Sequence, residues 1–153
     1  MKGRRVARRL ALDVLYEAEI RDLLPLEAFA NHSSGEWVVP SGDDVLDEAA
    51  PESAPSDEAV DYARTLVAGV QDHQADIDAL IAAYADRWAI QRMPVIDRTL
   101  CRIAVYELLW HEDVPIPVAI NEAVELAKVL STDDSGRFVN GLLGRIAEKE
   151  ATR

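Results

Sequence analysis

Cysteine is almost missing from this chain: its 153 residues hold one, Cys101. A lone thiol cannot close an intramolecular disulfide, so a stapled secreted scaffold is excluded and a reducing, cytoplasmic setting is expected. Histidine is scarce as well. His32, His73 and His111 are dispersed, none has a second histidine three or four positions away, and with one cysteine they make no zinc pattern. No apolar run approaches the ~20 residues of a membrane helix. Asp13, Glu17 and Glu19 interrupt the apolar stretch behind the basic start, which breaks a signal-peptide core. No G-x-S-x-G, P-loop or G-x-G-x-x-G is present. Carboxylates abound, yet none forms a pair isolated in apolar surroundings, as acid–base catalysis requires. A non-enzymatic protein without metal or cofactor is expected, with no membrane association.

What the chain does have is charge, unevenly spread. It sums to -12, yet Lys2, Arg4, Arg5, Arg8 and Arg9 crowd the first nine positions, and all 28 acids lie beyond them. From Asp22 to Tyr62 there are 11 acids and no Lys or Arg. An acidic body repels nucleic acid, because phosphate attraction dominates non-specific binding, so any such contact is confined to the basic start. The length favours one domain, here 1–153, and a chain of about 150 residues buries roughly 70% of its unfolded surface without staples.

The apolar spacing is helical throughout, with no sustained strand alternation. Residues 4–21 read as a first helix with Val6, Ala7, Leu10, Ala11, Val14, Leu15 and Ala18 on one stripe. Arg5, Arg9, Leu12 and Tyr16 form a second stripe, with Arg8 beside it. Cations at a helix start oppose the macrodipole, so a sequence shaped only for stability would carry Asp or Glu there. Pro25 opens a short second helix. Residues 32–56, with Gly, Ser and three prolines, read as a long, acidic, irregular loop. Further helices are expected at about 57–73 with Ser56 as N-cap, at about 75–86, from Pro94 to about His111, at 117–131, and at about 134–149 capped by Thr132 or Asp133. The expected class is all-α, with about seven helices.

Two constellations carry chemistry. One is the arginine-rich helix flank with Tyr16: cations for phosphates and a ring for unstacked bases suit single-stranded nucleic acid. The other is "STDDSGRFVNGLLG", where Asp133, Asp134 and Ser135 precede Arg137 and Phe138 at a helix start. Free backbone N–H groups there can hold an anion, or the two aspartates can satisfy those groups themselves. Phe138 is either a core residue or a base platform. Cys101 lies on the apolar side of its helix and reads as a small core residue. Gly141 and Gly144 read as a close helix-packing pair.

Three longer patterns are far more specific: "D-R-x-x-x-R-I-A-x-Y-E-L" from Asp97, "V-P-x-x-V-A-I-N-E-A-V-E-L-A-K" from Val114, and "D-S-x-x-F-V-N-G-L-L" from Asp134. Together they make residues 94–147 resemble the NusB family of transcription antitermination proteins. The opening "RRVARRLALDVLYEAE" resembles that family's Arg-rich first helix. The resemblance implies two small packed helical bundles and no enzymatic activity. It implies binding of single-stranded boxA RNA in ribosomal RNA leader transcripts, together with the ribosomal protein NusE, in a complex that joins RNA polymerase. Carried onto this chain, the RNA face would be Lys2, Arg4, Arg5, Arg8, Arg9 and Tyr16, joined by Asp134, Arg137 and Phe138. Asp134 would accept from a base edge or cap its helix. Asp97 is the candidate NusE contact. Arg102 would snorkel or pair with a carboxylate such as Glu122 or Glu125. The rival readings are a helical protein–protein adaptor without RNA binding, and a homodimer that hides the RNA face.

Overall fold

The computed structural model describes residues 3–33, 39–40, 52–85 and 90–151. Lys2, Trp37 and most of the 32–56 segment lie outside the described residues. The described chain is all-α: α1 (Arg4–Arg21), α2 (Pro25–Ser33), α3 (Asp57–Tyr84), α4 (Val95–Trp110), α5 (Ile116–Leu130) and α6 (Asp133–Glu150). A 3₁₀ turn, Ile90–Arg92, precedes α4. A two-residue antiparallel ladder pairs Val39 with Ser53 and Pro40 with Glu52, within the segment expected to be mostly irregular. The chain divides into two compact units, Met1–Gln71 and Asp72–Arg153.

In the first unit the expected stripe of α1 is buried as a row: Val6, Ala7, Leu10, Ala11, Val14, Leu15 and Ala18. Each Leu or Val taken out of water contributes roughly 1.5–3 kcal/mol. The first turn of α1 contains no acid, and no side chain caps it. The helix starts instead from Gly3 at φ 95, where a Cβ would stand 3.6 Å from Ser56 Oγ. Only glycine takes that left-handed turn at little cost. Glu17 ties α1 to α2, reaching His32 Nε2 at 2.8 Å and Arg21 at 3.1 Å. The Leu26 N–H donates to Gln71 Oε1 at 2.9 Å, which anchors the start of α2 on α3.

Ser56 caps α3 as expected, its Oγ accepting from the Ala59 N–H at 3.1 Å. The break expected near residue 74 is not there: α3 runs unbroken from Asp57 to Tyr84. The polar interval Gln71–Asp76 lacks an apolar stripe, but it holds no Gly or Pro, and Gln and Ala are good helix formers. Loss of periodicity marks the passage from one unit to the next, not a helix end.

In the second unit α4 is buried almost all round, with Leu100, Cys101, Ala104, Val105 and Leu108 at most 1% exposed. Such a helix is the centre of its bundle. Arg98 folds back, its Nη1 donating to Ile90 O at 3.0 Å and Met93 O at 3.4 Å, and so holds the 3₁₀ turn. Arg102 meets Asp78 of α3 through two bonds, Nε to Oδ1 at 2.8 Å and Nη2 to Oδ2 at 3.0 Å. Arg102 therefore does meet a carboxylate, and Asp78 lies on α3, an element for which no partnership was foreseen. At the other end of α3, Tyr84 donates to Glu150 at 3.1 Å, and Arg145 donates to Tyr84 O at 3.0 Å.

Asp22 ends α1 at φ 55, ψ 48, the left-handed cap position, where an L side chain is strained and a negative charge opposes the helix dipole. Asp22→Gly should therefore stabilise the protein by roughly 0.5–1 kcal/mol in urea unfolding. A loss of stability would contradict this account of the turn.

Candidate nucleic-acid interface

The arginines of α1 do not form one exposed strip. Arg4 and Arg8 turn towards Tyr62 of α3, with guanidinium carbons 4.2 and 5.9 Å from its ring centroid. Tyr62 is 9% exposed and Arg8 only 4%. Arg8 is thus a packed side chain, and the expectation that it lies open beside the second stripe is corrected. Helical geometry gives the reason: positions 4 and 8 fall on one flank, which α3 covers with an aromatic ring. Arg5 and Arg9 are half-buried and keep surface open to solvent. Arg9 Nε lies 3.5 Å from Asp13 Oδ1 one turn later. Tyr16 is 41% exposed. Arg5, Arg9 and Tyr16 therefore hold the accessible surface expected of the cationic flank, while Leu12 of the same stripe is buried.

The second constellation lies in the second unit. Thr132 caps α6, its Oγ1 accepting from the Ser135 N–H at 2.9 Å. Asp134 is not the cap; it is exposed and pairs with exposed Arg137 one turn on. Such an exposed pair adds little to stability, so both groups can exchange partners cheaply. Phe138 is half-buried, between the core and platform roles left open for it.

Asp97 is corrected most. It is 1% exposed, and its Oδ2 accepts from Ser135 Oγ at 2.7 Å. Its carboxylate is turned inward, onto Ser135 of α6. What it does is tie the first turn of α4 to the first turn of α6, which carries Asp134, Arg137 and Phe138. Ser131 Oγ and Thr132 Oγ1 approach Ser135 Oγ at 3.0 and 3.1 Å, completing a hydroxyl cluster on the carboxylate. Gly136 follows because a Cβ there would stand 2.7 Å from Lys128 Cγ. Gly144, read from sequence as a packing glycine, has nothing within 4 Å of its Cβ position. Burial pushes the Cys101 thiol far up, and the nearby Asp97 charge adds to the shift, which suits an inert core residue. Among the described residues no cluster of His, Cys, Asp and Glu could hold a metal, and no helix is long and apolar enough to cross a membrane.

Sequence reasoning missed Tyr62 and Ser135. A tyrosine on a distant helix gives no local sign that it will receive Arg4 and Arg8. Ser135 did carry a sign, since it sits one turn inside a capped helix in a run of otherwise exposed polar residues.

Fold and charge layout define a class: a small all-α protein whose polar chemistry, among the described residues, gathers at helix starts. The family model described as the NusB family matches residues 5–148. The transcription antitermination protein NusB of Salinispora arenicola is 48% identical over 148 residues, covering 97% of each chain. That of Kineococcus radiotolerans is 44% identical over 152 residues, covering 99% of this chain and 98% of its own. Among solved structures, T. maritima NusB is 35% identical with a TM-score of 0.77, covering 97% of this chain and 92% of that one. A crystal structure of antitermination factors NusB and NusE in complex with dsRNA is 27% identical with a TM-score of 0.75, covering 95% and 96%. The chain belongs to the NusB family, whose members are transcription antitermination factors and not enzymes.

Removing the Ser135 hydroxyl leaves the buried Asp97 carboxylate without its one donor among the described residues. Ser135→Ala should cost about 1–3 kcal/mol in urea unfolding, the penalty for stranding a buried acceptor. A change within experimental error would mean that this bond does not anchor α6.

Proposed function

We propose that this antitermination factor binds unpaired RNA of the boxA kind in ribosomal RNA leader transcripts, together with NusE, in a complex that joins RNA polymerase. The observation that carries the reading is the start of α1: four arginines within two turns, no acid in the first turn and no side-chain cap. Stability alone does not select that arrangement. Phosphates are the partners that reward it, since each one neutralised releases counterions. Arg5 and Arg9 are the phosphate contacts, with Lys2 as an additional cation, and Arg8 braces them from inside. Tyr16 and Phe138 supply faces for bases, and Arg137 and Asp134 supply a cation and an acceptor that a base edge can engage. The relative solved with NusE and dsRNA supports both kinds of partner. Unpaired RNA is favoured here because Tyr16 and Phe138 can stack only on bases freed from a duplex. NusE, as a basic ribosomal protein, suits a chain whose 28 acids all lie beyond residue nine, and complementary charge speeds such encounters.

Binding of boxA RNA, with NusE present, should weaken steeply as salt rises. Arg5→Ala and Arg9→Ala should each make the slope of log affinity against log salt shallower by about 0.7. Phe138→Ala should lose about 1–3 kcal/mol at every salt concentration, because stacking carries no counterions. Absence of binding to single-stranded boxA RNA, with and without NusE, rejects the reading in favour of a protein-only adaptor.

A further inference from the structure

We propose that Lys128 is a phosphate contact that extends the RNA surface from α6 onto α5, and that Gly136 holds it in place. The proposal rests on the RNA-binding reading above and adds a residue outside both constellations. Lys128 lies in the last turn of α5, and only Ser131 and Thr132 separate α5 from α6. A Cβ at Gly136 would stand 2.7, 3.5 and 3.3 Å from Lys128 Cγ, Cδ and Cε. The lysine stem is therefore laid across the first turns of α6, in the space a side chain would take. The ammonium is one bond further on, and the side chain is 45% exposed. Among the described residues its ion pair is with Glu125 Oε1, 3.8 Å away, on a side chain that is 49% exposed. A pair so long and so open to water is weak and is given up cheaply.

The glycine carries the inference. Glycine inside a helix is less stable than alanine, and the backbone at Gly136 has no positive φ to require it. Room for the lysine stem does require it. The dipole of α5 favours a cation in its last turn, but a lysine loose in solvent would serve that equally well and would need no glycine on the next helix. The start of α6 disfavours a cation, as the start of α1 does. A stem packed along the helix with its charged head in water has little freedom left to lose when an anion arrives. The charge count at this helix start gives the lysine its task. Asp133 and Asp134 occupy the first turn, and Arg137 is the one cation that α6 sets against them there. Lys128 supplies a second, which offsets the repulsion that a phosphate passing Phe138 would otherwise meet.

Two substitutions separate the charge from its placement. Lys128→Met keeps the stem and removes the charge, whereas Gly136→Ala keeps the charge and displaces the stem. Affinity for single-stranded boxA RNA with NusE present is measured across salt concentrations. Lys128→Met should bind about fivefold more weakly at about 0.1 M salt, with a slope of log affinity against log salt shallower by about 0.7. Gly136→Ala should lose as much, and the double variant should be no weaker than Lys128→Met. Lys149→Met, in the last turn of α6, makes the same change in net charge and should keep the wild-type affinity and slope. If Gly136→Ala fails to fold by circular dichroism, Lys128→Met and Lys149→Met decide alone. Wild-type affinity in Lys128→Met, an equal loss in Lys149→Met, or losses that add in the double variant overturn the assignment while leaving the RNA-binding reading intact. A wild type that binds no boxA RNA overturns both.

Discussion

Crowding of guanidinium groups at the positive end of one helix is the constraint on which the rest depends. Each cation within the first turn costs about 0.3–1 kcal/mol against the macrodipole. Four of them in two turns, with neither an acid nor a side-chain cap, would fray an isolated helix. The fold offsets this in three ways. A seven-residue apolar stripe pins α1 into its unit. The Tyr62 ring receives Arg4 and Arg8, each such contact returning about 0.5–2 kcal/mol according to its desolvation. Asp13 stands against Arg9. These terms are of the same size as the cost, so the arrangement is close to neutral for stability. Under the proposed function, it is phosphates outside the chain that favour the arrangement.

The second unit repeats the logic with the opposite economy of charge. Here the important helix start, that of α6, is capped by Thr132 and braced from below by the buried Asp97 through Ser135. Because the cap and brace satisfy the helix start, Asp134 and Arg137 are left on the surface and, among the described residues, form a weak tie with each other. A rigid backbone presenting loosely paired polar side chains is well suited to reading a ligand, since little must be broken when it binds.

Much of this was legible in the residues. The bounds of α1, the cap at Ser56 and the start of α4 at Pro94 follow from local rules, and the structure has all of them; of the two caps offered for α6, Thr132 and Asp133, it uses Thr132. The family itself is written in the patterns around Asp97, Val114 and Asp134. What was not legible depends on which elements pack together. Periodicity places Arg8 on a flank but cannot say that α3 brings a ring to that flank. The resemblance offered Asp97 as a partner contact, and only the serine of α6 makes it a buried brace. The unbroken course of α3 was missed because a polar interval imitates a helix end when no neighbour is known. Arg102 needed a carboxylate, and several helices offered one.

The central claim is that RNA is met by the start of α1 and the start of α6. Zero-length photo-crosslinking of 4-thiouridine-substituted boxA RNA to the protein with NusE, followed by peptide mapping, tests it most directly. The account predicts adducts on peptides from Arg4–Arg21 and from residues 133–140. Adducts confined to α4 and α5, with none on either helix start, would contradict it.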